Sequence, residues 1–362
     1  MLRPPLDAGG PVPRIAELLA GTLRELDCDV STACWGSGAG GHGVLRRVAR
    51  YAVDLGRVHR LAGQRHPDVL FVHSAHDPRA LARDLPLLGL MRRRVPGTVV
   101  MLHGSYSQLL GPPGHPVLTC ASRMLTQGVD LLLVLSSEEL RQWRAFVAGA
   151  RPRVERVDNP FLARPIQAVA PGSSETAFRI LFVGRILREK GVFDLVDALG
   201  QVEGGPTARL TVVGDGPDFA ELVAYVGRSA VGDRVELLGR LGARDVGRAY
   251  ADADALVLPT YYREGFPTVL SEAMAAGLPI VTTSVRGTAD HLEDGVNALF
   301  VPPRDPHALA QALRELRSNG RLRDAMAATN RAKVAAFAPS LVAARYLELI
   351  RTAFGGTVRP PR

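Results

Sequence analysis

Short apolar runs alternate with stretches in which apolar residues recur every three or four positions, and the alternation continues from one end of the chain to the other. Runs of the first kind suit strands buried on both faces, and the second periodicity suits helices with one face on a core. In the first half the pattern predicts strands at 28–34, 69–73, 98–103, 131–135 and 154–157, with helices such as 14–26 and 81–91 between them. At 160–177 (PFLARPIQAVAPGSSETA) proline, glycine and serine interrupt the pattern and predict a linker. Beyond it the alternation restarts, with strands at 179–183, 209–213, 234–238, 255–258 and 279–282 and helices at 192–199, 218–228, 243–251 and 267–276. Strands joined by helices build βαβ units, so the expected fold class is α/β, with two doubly wound, Rossmann-like domains facing across a cleft. A last amphipathic stretch, 341–354, has no strand after it and is expected to pack back on the first domain. The expected division is a first domain at 1–160, a linker at 161–177, a second domain at 178–338 and a C-terminal helix and tail at 339–362.

One element is missing from this pattern. Asp7-Ala8-Gly9-Gly10 reads as the loop that follows the first strand of such a domain, yet only six residues precede it and two of them are proline. That strand is central in a doubly wound sheet. The first strand is therefore expected to be absent here, with the natural product starting upstream of Met1.

Length and composition agree with two globular domains: 362 residues exceed what one core organises, and 46% apolar with 22% charged residues excludes disorder. Cys28, Cys34 and Cys120 form an odd, sparse set without metal-ligand spacing, as expected for a reduced cytoplasmic chain. Cys28 and Cys34 are expected to share one face of a strand as packing residues. No run of about 18 apolar residues and no signal-peptide core is present, so a spanning or exported protein is not expected.

The net charge of +8 is concentrated: residues 40–94 hold 11 basic against 4 acidic side chains, including Arg46, Arg47, Arg50, Arg57, Arg60 and Arg92 to Arg94. Such a field favours an anionic partner. Nucleic acid is not expected, because aromatics are few and no binding module is recognisable. An anionic membrane surface fits better, with a location at the inner face of the membrane, and a merely solvated arginine-rich face is the alternative.

The candidate chemistry lies at the carboxyl ends of predicted strands, where ligands bind in open α/β sheets. In YYREGFPTVLSEAMAAG (261–277), Gly265-Phe266-Pro267 turns into a helix with proline expected at its first position, and the unpaired N–H groups of that turn suit a phosphate. Glu264 stands before this anion site and Glu272 two turns beyond its start, placed to accept hydrogen bonds from polyols on either side of a diphosphate. After the strand at 179–183, Gly184 admits a close backbone approach, while Arg185 and Lys190 supply fixed positive charge to a leaving diphosphate. With 42 arginines and only two lysines in the chain, Lys190 suggests that a compact charge is required there. Gly214-Asp215 forms a further βα turn expected to line a nucleotide pocket. In the first domain, the strands at 69–72 and 98–102 are expected to deliver His73-Ser74 and His103-Gly104-Ser105 to the cleft, with His103 the stronger candidate.

Assembled, these residues resemble glycosyltransferase family 4, retaining, nucleotide-sugar-dependent enzymes of the GT-B fold. The resemblance is strongest over 179–305, where FVGRILREKG, VVGDGP, LLGRL and EGFPTVLSEAMAAGLPIV follow the family's order and spacing, and Glu264 and Glu272 fit its Glu-x7-Glu motif. In the first domain Gly9-Gly10, His103-Gly104 and Asp158-Asn159-Pro160 resemble recurring family positions. The resemblance implies an acceptor-side first domain and a nucleotide-sugar-binding second domain. It implies that Arg185 and Lys190 bind the donor diphosphate, Glu264 the sugar hydroxyls and Glu272 the ribose. Backbone amides around Phe266–Val269 would contact sugar and phosphate, with Gly265, Phe266, Pro267, Thr268 and Val269 all counted as donor-binding, His103 would face the anomeric carbon, and Gly9 and Gly10 would approach the phosphates. The implied activity is a hexosyltransferase that moves a sugar, with retention, to a hydroxyl of a glycan or lipid-linked acceptor in cell-envelope or exopolysaccharide synthesis. No cofactor or metal is expected, on the ground that an Asp-x-Asp triplet to hold a metal is lacking. The alternatives are a sugar phosphorylase or nucleotide-sugar epimerase on the same architecture, which would leave Glu272 without a ribose in the first case, or a non-catalytic nucleotide-sugar-binding subunit.

Overall fold

A computed structural model describes residues 1–6, 10–36, 44–111, 114–149, 151–163, 177–202 and 207–355. The chain divides into two compact units, Met1–Leu162 with Glu264–Phe266 and Phe337–Arg362, and Ala163–Arg263 with Pro267–Ala336. Most of the expected linker lies outside the described residues.

The first unit runs β1 (Leu2–Arg3), α1 (Val12–Glu25), β2 (Ala33–Cys34), α2 (Val44–Arg65), β3 (Val69–His76), α3 (Pro78–Met91), β4 (Gly97–Ser105), α4 (Pro116–Gln127), β5 (Leu131–Val134), α5 (Ser137–Val147) and β6 (Arg153–Arg156). The second runs β7 (Ala177–Val183), α6 (Val192–Gly200), β8 (Thr207–Val213), α7 (Phe219–Arg228), β9 (Val235–Gly239), α8 (Ala243–Asp252), β10 (Ala255–Leu258), α9 (Thr268–Ala276), β11 (Ile280–Thr282), α10 (Gly287–His291), β12 (Leu299–Phe300), α11 (Pro306–Ser318) and α12 (Gly320–Lys333). The last helix, α13 (Pro339–Phe354), belongs to the first unit.

All pairings in the two sheets are parallel, in the orders β2-β1-β3-β4-β5-β6 and β12-β11-β10-β7-β8-β9. Buried parallel strands need apolar residues on both faces, and the first sheet shows how the sequence supplies them. Phe71, Val99, Met101, Leu131 and Leu133 point to one side, where α1 and α13 cover them. Leu70, Val72, Val100, Leu102, Leu132 and Val134 point to the other, into a core shared with residues of α2 to α5 such as Val58, Leu87, Leu125 and Trp143. The α13 positions 342, 343, 346, 349 and 350 form one helical stripe, and all five are buried in the first of these cores. Tyr346 anchors the stripe, its hydroxyl lying 3.2 Å from the Asp158 carbonyl oxygen and 3.1 Å from Met101 Sδ.

Two expectations for the start of the chain are corrected. The first strand is present as Leu2–Arg3, between β2 and β3, with Leu2 opposite both Ala33 and Val72. Two residues suffice because the flanking carbonyls also pair: Ala33 N–H donates to Met1 O (3.0 Å) and Trp35 N–H to Arg3 O (2.8 Å), while Pro4 and Pro5 carry no N–H to prolong the ladder. The strand expected at 28–34 is only Ala33–Cys34, so Cys28 lies outside it, partly buried beside the α13 core. Among the described residues no helix is long and apolar enough to cross a membrane.

Candidate functional site

In the second sheet the strand order reverses between β7 and β10, and at such a switch point the loops leaving the carboxyl ends of the strands part to leave a crevice. Three of these loops are locked together by backbone contacts that only glycine permits. A Cβ on Gly214 would meet the Gly184 carbonyl, carbon at 2.9 Å and oxygen closer, and Gly214 has φ +143. A Cβ on Gly191, at φ +78, would collide with the Pro259 carbonyl, whose carbon is 2.8 Å away. Around them Gly184 N–H donates to Val213 O (3.0 Å), Ile186 N–H to Asp215 O (3.1 Å), and Tyr261 and Tyr262 N–H both to Glu189 O (2.8 and 3.0 Å). The β7–α6 loop is thereby tied to the β8–α7 loop on one side and to the β10–α9 loop on the other.

These ties place the cations. Lys190 is buried, at 8% exposure, with Nζ 5.1 Å from the centre of the Tyr262 ring. Arg185 is exposed on the same loop. Arg188 is committed elsewhere: it pairs with Glu221 and stacks over Phe193 at 4.1 Å, while its N–H donates to Asp218 (2.7 Å). Asp215 is exposed and its carboxylate accepts from Gly216 N–H (2.7 Å).

Across the switch point, α9 starts at Thr268. Pro267 is the residue before the helix, with extended φ −61 and ψ 127, one position earlier than expected. Its fixed φ still sets the entry into the helix, and Leu270 N–H donates to its carbonyl (3.0 Å). Thr268 and Val269 are partly buried in this first turn. Glu272 follows one turn later, partly exposed, with Oε2 accepting from the Tyr250 hydroxyl at 2.8 Å. Tyr250, on α8, is 2% exposed. Burial, and then the adjacent Glu272 carboxylate, hold its phenol well above the ordinary tyrosine range, so it remains a donor. The second unit thus groups Gly184, Arg185, Lys190, Gly214, Asp215, Pro267, Thr268, Val269 and Glu272 at the carboxyl edge of one sheet. Tyr250 and Tyr262 were missed by sequence reasoning. Tyr262 lies inside the stretch that holds both glutamates, whereas nothing local marks Tyr250, 22 positions before Glu272.

Glu264, Gly265 and Phe266 partition with the first unit. Gly265 is needed there because a Cβ would lie 2.8 Å from Leu135 Cδ1, and the Phe266 ring stacks on Phe337 with centroids 5.4 Å apart. Gly10 has φ +74 and open space around it, while Gly9 lies outside the described residues. His73 and His103 are inside strands and not at their ends, because β3 and β4 run on to His76 and Ser105. They form a direct pair, His73 Nδ1 to His103 Nε2 at 2.8 Å, with near-parallel rings. Burial lowers the His103 pKa to about 3, and burial together with His103 lowers that of His73 well below the usual histidine value. Both rings are neutral at pH 7.

The ground for expecting no metal does not stand. The chain has two Asp-x-Asp triplets, Asp27-Cys28-Asp29 and Asp252-Ala253-Asp254. They precede β2 and β10, each at the amino edge of its own sheet, and Asp254 is bound by Arg179 through its N–H (2.7 Å) and guanidinium (2.9 Å).

Residues 163–333 match the family described as Glycosyl transferases group 1. Over 235 residues the chain is 33% identical to the exopolysaccharide phosphotransferase of Streptomyces coelicolor, covering 64% of this chain and 24% of that protein. It is 28% identical over 283 residues to a glycogen synthase of Mycobacterium tuberculosis, covering 74% and 63%. The matched stretches therefore span from a quarter to less than two thirds of these relatives. Among solved structures, Anabaena HepE in complex with UDP and glucose superposes with a TM-score of 0.74 at 20% identity, over 97% of this chain and 98% of that one. The chain has the GT-B fold, and the matches together support the glycosyltransferase superfamily.

Proposed function

We propose that the protein is a retaining glycosyltransferase of family 4 that moves a hexosyl group from a nucleotide-sugar donor to a hydroxyl of a glycan or lipid-linked acceptor, in the synthesis of an exopolysaccharide or cell-envelope glycan. The observation that carries this reading is the β7/β10 switch point, where hydrogen bonds to Glu189 O tie the loop of Arg185 and Lys190 to the segment leading into α9 and Glu272. A nucleotide sugar has a polyol at each end and a diphosphate between. In this reading Glu272 accepts from ribose hydroxyls and Glu264 from sugar hydroxyls. Arg185, Lys190 and the backbone N–H groups of Gly265, Phe266, Thr268 and Val269 meet the charge that builds on the diphosphate as the glycosidic bond breaks, with Pro267, which has no N–H, setting the turn between them. Gly184, Gly214 and Asp215 line the nucleotide side, Gly9 and Gly10 approach the phosphates, and His103 faces the transferred sugar. The relatives support the substrate class: HepE is solved with UDP and glucose, and the Streptomyces relative is named for exopolysaccharide.

No metal has a role in this reading, since Arg185, Lys190 and the helix N-terminus take the charge of the leaving group. Association with an anionic membrane from the cytoplasmic side is proposed from α2, where Arg46, Arg50, Arg57, Arg60 and Arg65 are exposed together with Val48, Val53 and Leu61. A thermal-stability screen of nucleotide sugars, followed by transfer assays with the best stabiliser and NMR of the product anomer, tests the proposal. One donor should stabilise and be turned over with its anomeric configuration kept. Stabilisation by free sugar and inorganic phosphate but by no nucleotide, or an inverted product, would overturn it.

A further inference from the structure

His73 is left over from the proposed chemistry, yet it is among the least accessible polar groups of the first unit. The residue is 1% exposed, its Nδ1 lies 2.8 Å from His103 Nε2, and its other nitrogen, Nε2, is buried with no hydrogen-bond partner. The Phe71 ring packs against it at 4.9 Å. Register fixes this geometry: His73 is paired with Met101 on β4, so His103 is two residues along the neighbouring strand on the same face of the sheet.

Two neutral imidazoles share one hydrogen at this distance, and the arrangement can run either way. If His103 Nε2–H donated, His73 would carry its own hydrogen on Nε2, and a buried N–H would have no acceptor. If His73 Nδ1–H donates, the orphaned atom is a bare lone pair. Unpaired buried N–H groups are rarer than under-satisfied acceptors, so the second arrangement is favoured. His103 then accepts at Nε2 and carries its hydrogen on Nδ1. We infer that His73 is a positioning residue that holds His103 as the Nδ1–H tautomer, so that His103 meets its ligand as a neutral hydrogen-bond donor to oxygen and not as a general base. The low pKa of both rings is consistent with an uncharged pair. The functional part of the inference rests on the reading that His103 faces the transferred sugar, whereas the tautomer does not.

The test is a long-range nitrogen–proton correlation spectrum of the full chain with labelled histidine at pH 7, assigned by the signals lost in His73→Asn and His103→Ala. Both rings should show a protonated Nδ1 and a bare Nε2. A protonated Nε2 on His103, or a charged ring, overturns the inference. In transfer assays His73→Phe, which removes the donor, should lower kcat about tenfold with KM for the donor little changed, and His73→Asn, which returns an N–H near the position of Nδ1, should recover most of it. Equal activity of His73→Phe and wild type overturns the positioning role, provided that His103→Ala is impaired. A fully active His103→Ala would instead remove His103 from the proposed site and leave the tautomer to the spectrum.

Discussion

Replacing Gly214 with alanine tests the claim that the second unit's loops are held by glycine-only contacts. The new Cβ would lie 2.9 Å from the Gly184 carbonyl carbon and closer to its oxygen, where unstrained contact needs about 3.5 Å or more. The backbone at φ +143 adds strain of about 1–3 kcal/mol for a side-chain-bearing residue. Relief requires the loops to part, at the cost of hydrogen bonds such as Gly184 N–H to Val213 O and Gly214 N–H to Gly239 O, worth about 1 kcal/mol each. Together these give about 3–5 kcal/mol, a large share of the stability of a domain this size, and a fall in Tm of roughly 10 °C. Gly247→Ala is the control. Gly247 sits inside α8 with nothing within 4 Å of its would-be Cβ, so alanine should stabilise by about 0.5–1 kcal/mol through helix propensity. Calorimetric melts of the three proteins decide the matter. If Gly214→Ala melted within about 2 °C of wild type, the loops would be able to separate freely and the packing argument for the switch point would fail.

Lys190→Ala and Glu264→Ala should each lower transfer by about a hundredfold, corresponding to about 3 kcal/mol of lost transition-state stabilisation, and near-normal initial rates in either would remove that residue from the chemistry. Tyr250→Phe deletes only the hydroxyl that donates to Glu272. It should weaken binding of the nucleoside diphosphate by about tenfold, the effect of a charge-assisted hydrogen bond, while unchanged calorimetric affinity would show that Glu272 needs no such support. The neutral histidine pair makes stability depend on pH. Because folding depresses these pKa values, the unfolded chain binds the extra protons, so stability is complete above about pH 6.5, falls as pH drops below it, and levels off only near the folded value of about 3 for His103. Between pH 8 and pH 5 each such histidine costs about 2 kcal/mol, so urea titrations of His103→Gln should show a loss smaller by that amount, and an identical loss would contradict the burial of the pair.

The parts of this molecule that the sequence disclosed are those whose physics is local. The βαβ order is legible because buried parallel strands such as 255–258 must be apolar on both faces, and five of the second sheet's six strands lie within two residues of the pattern, the two-residue β12 having no counterpart in it. The α13 stripe is legible because helical spacing repeats within sixteen residues. The glycine loops are legible because close backbone approach tolerates little else. The two-residue β1 was invisible: it is shorter than any period, and its partners, Ala33 and Val72, are supplied by distant segments. The Tyr250–Glu272 bond was invisible for the same reason, since α8 and α9 meet only after an intervening strand and loop have folded.

The histidine pair shows where this limit bears on function. Each histidine was a candidate by its position near a strand end, and each would have been weighed as a separate titrating group. The register between β3 and β4 makes them one unit, in which the buried member has no other partner and the accessible member is left with a single nitrogen to offer. The two units consequently supply different electrostatics to the proposed reaction. The second places two basic side chains, Arg185 exposed and Lys190 enclosed beside Tyr262, on a loop fixed by backbone contacts. The first supplies polar groups kept uncharged by burial. For a donor with an anionic diphosphate between its nucleoside and a neutral sugar, charge is wanted at the diphosphate and directional hydrogen bonding at the sugar, because a cation beside the sugar would oppose the positive charge that develops on its ring as the leaving group departs.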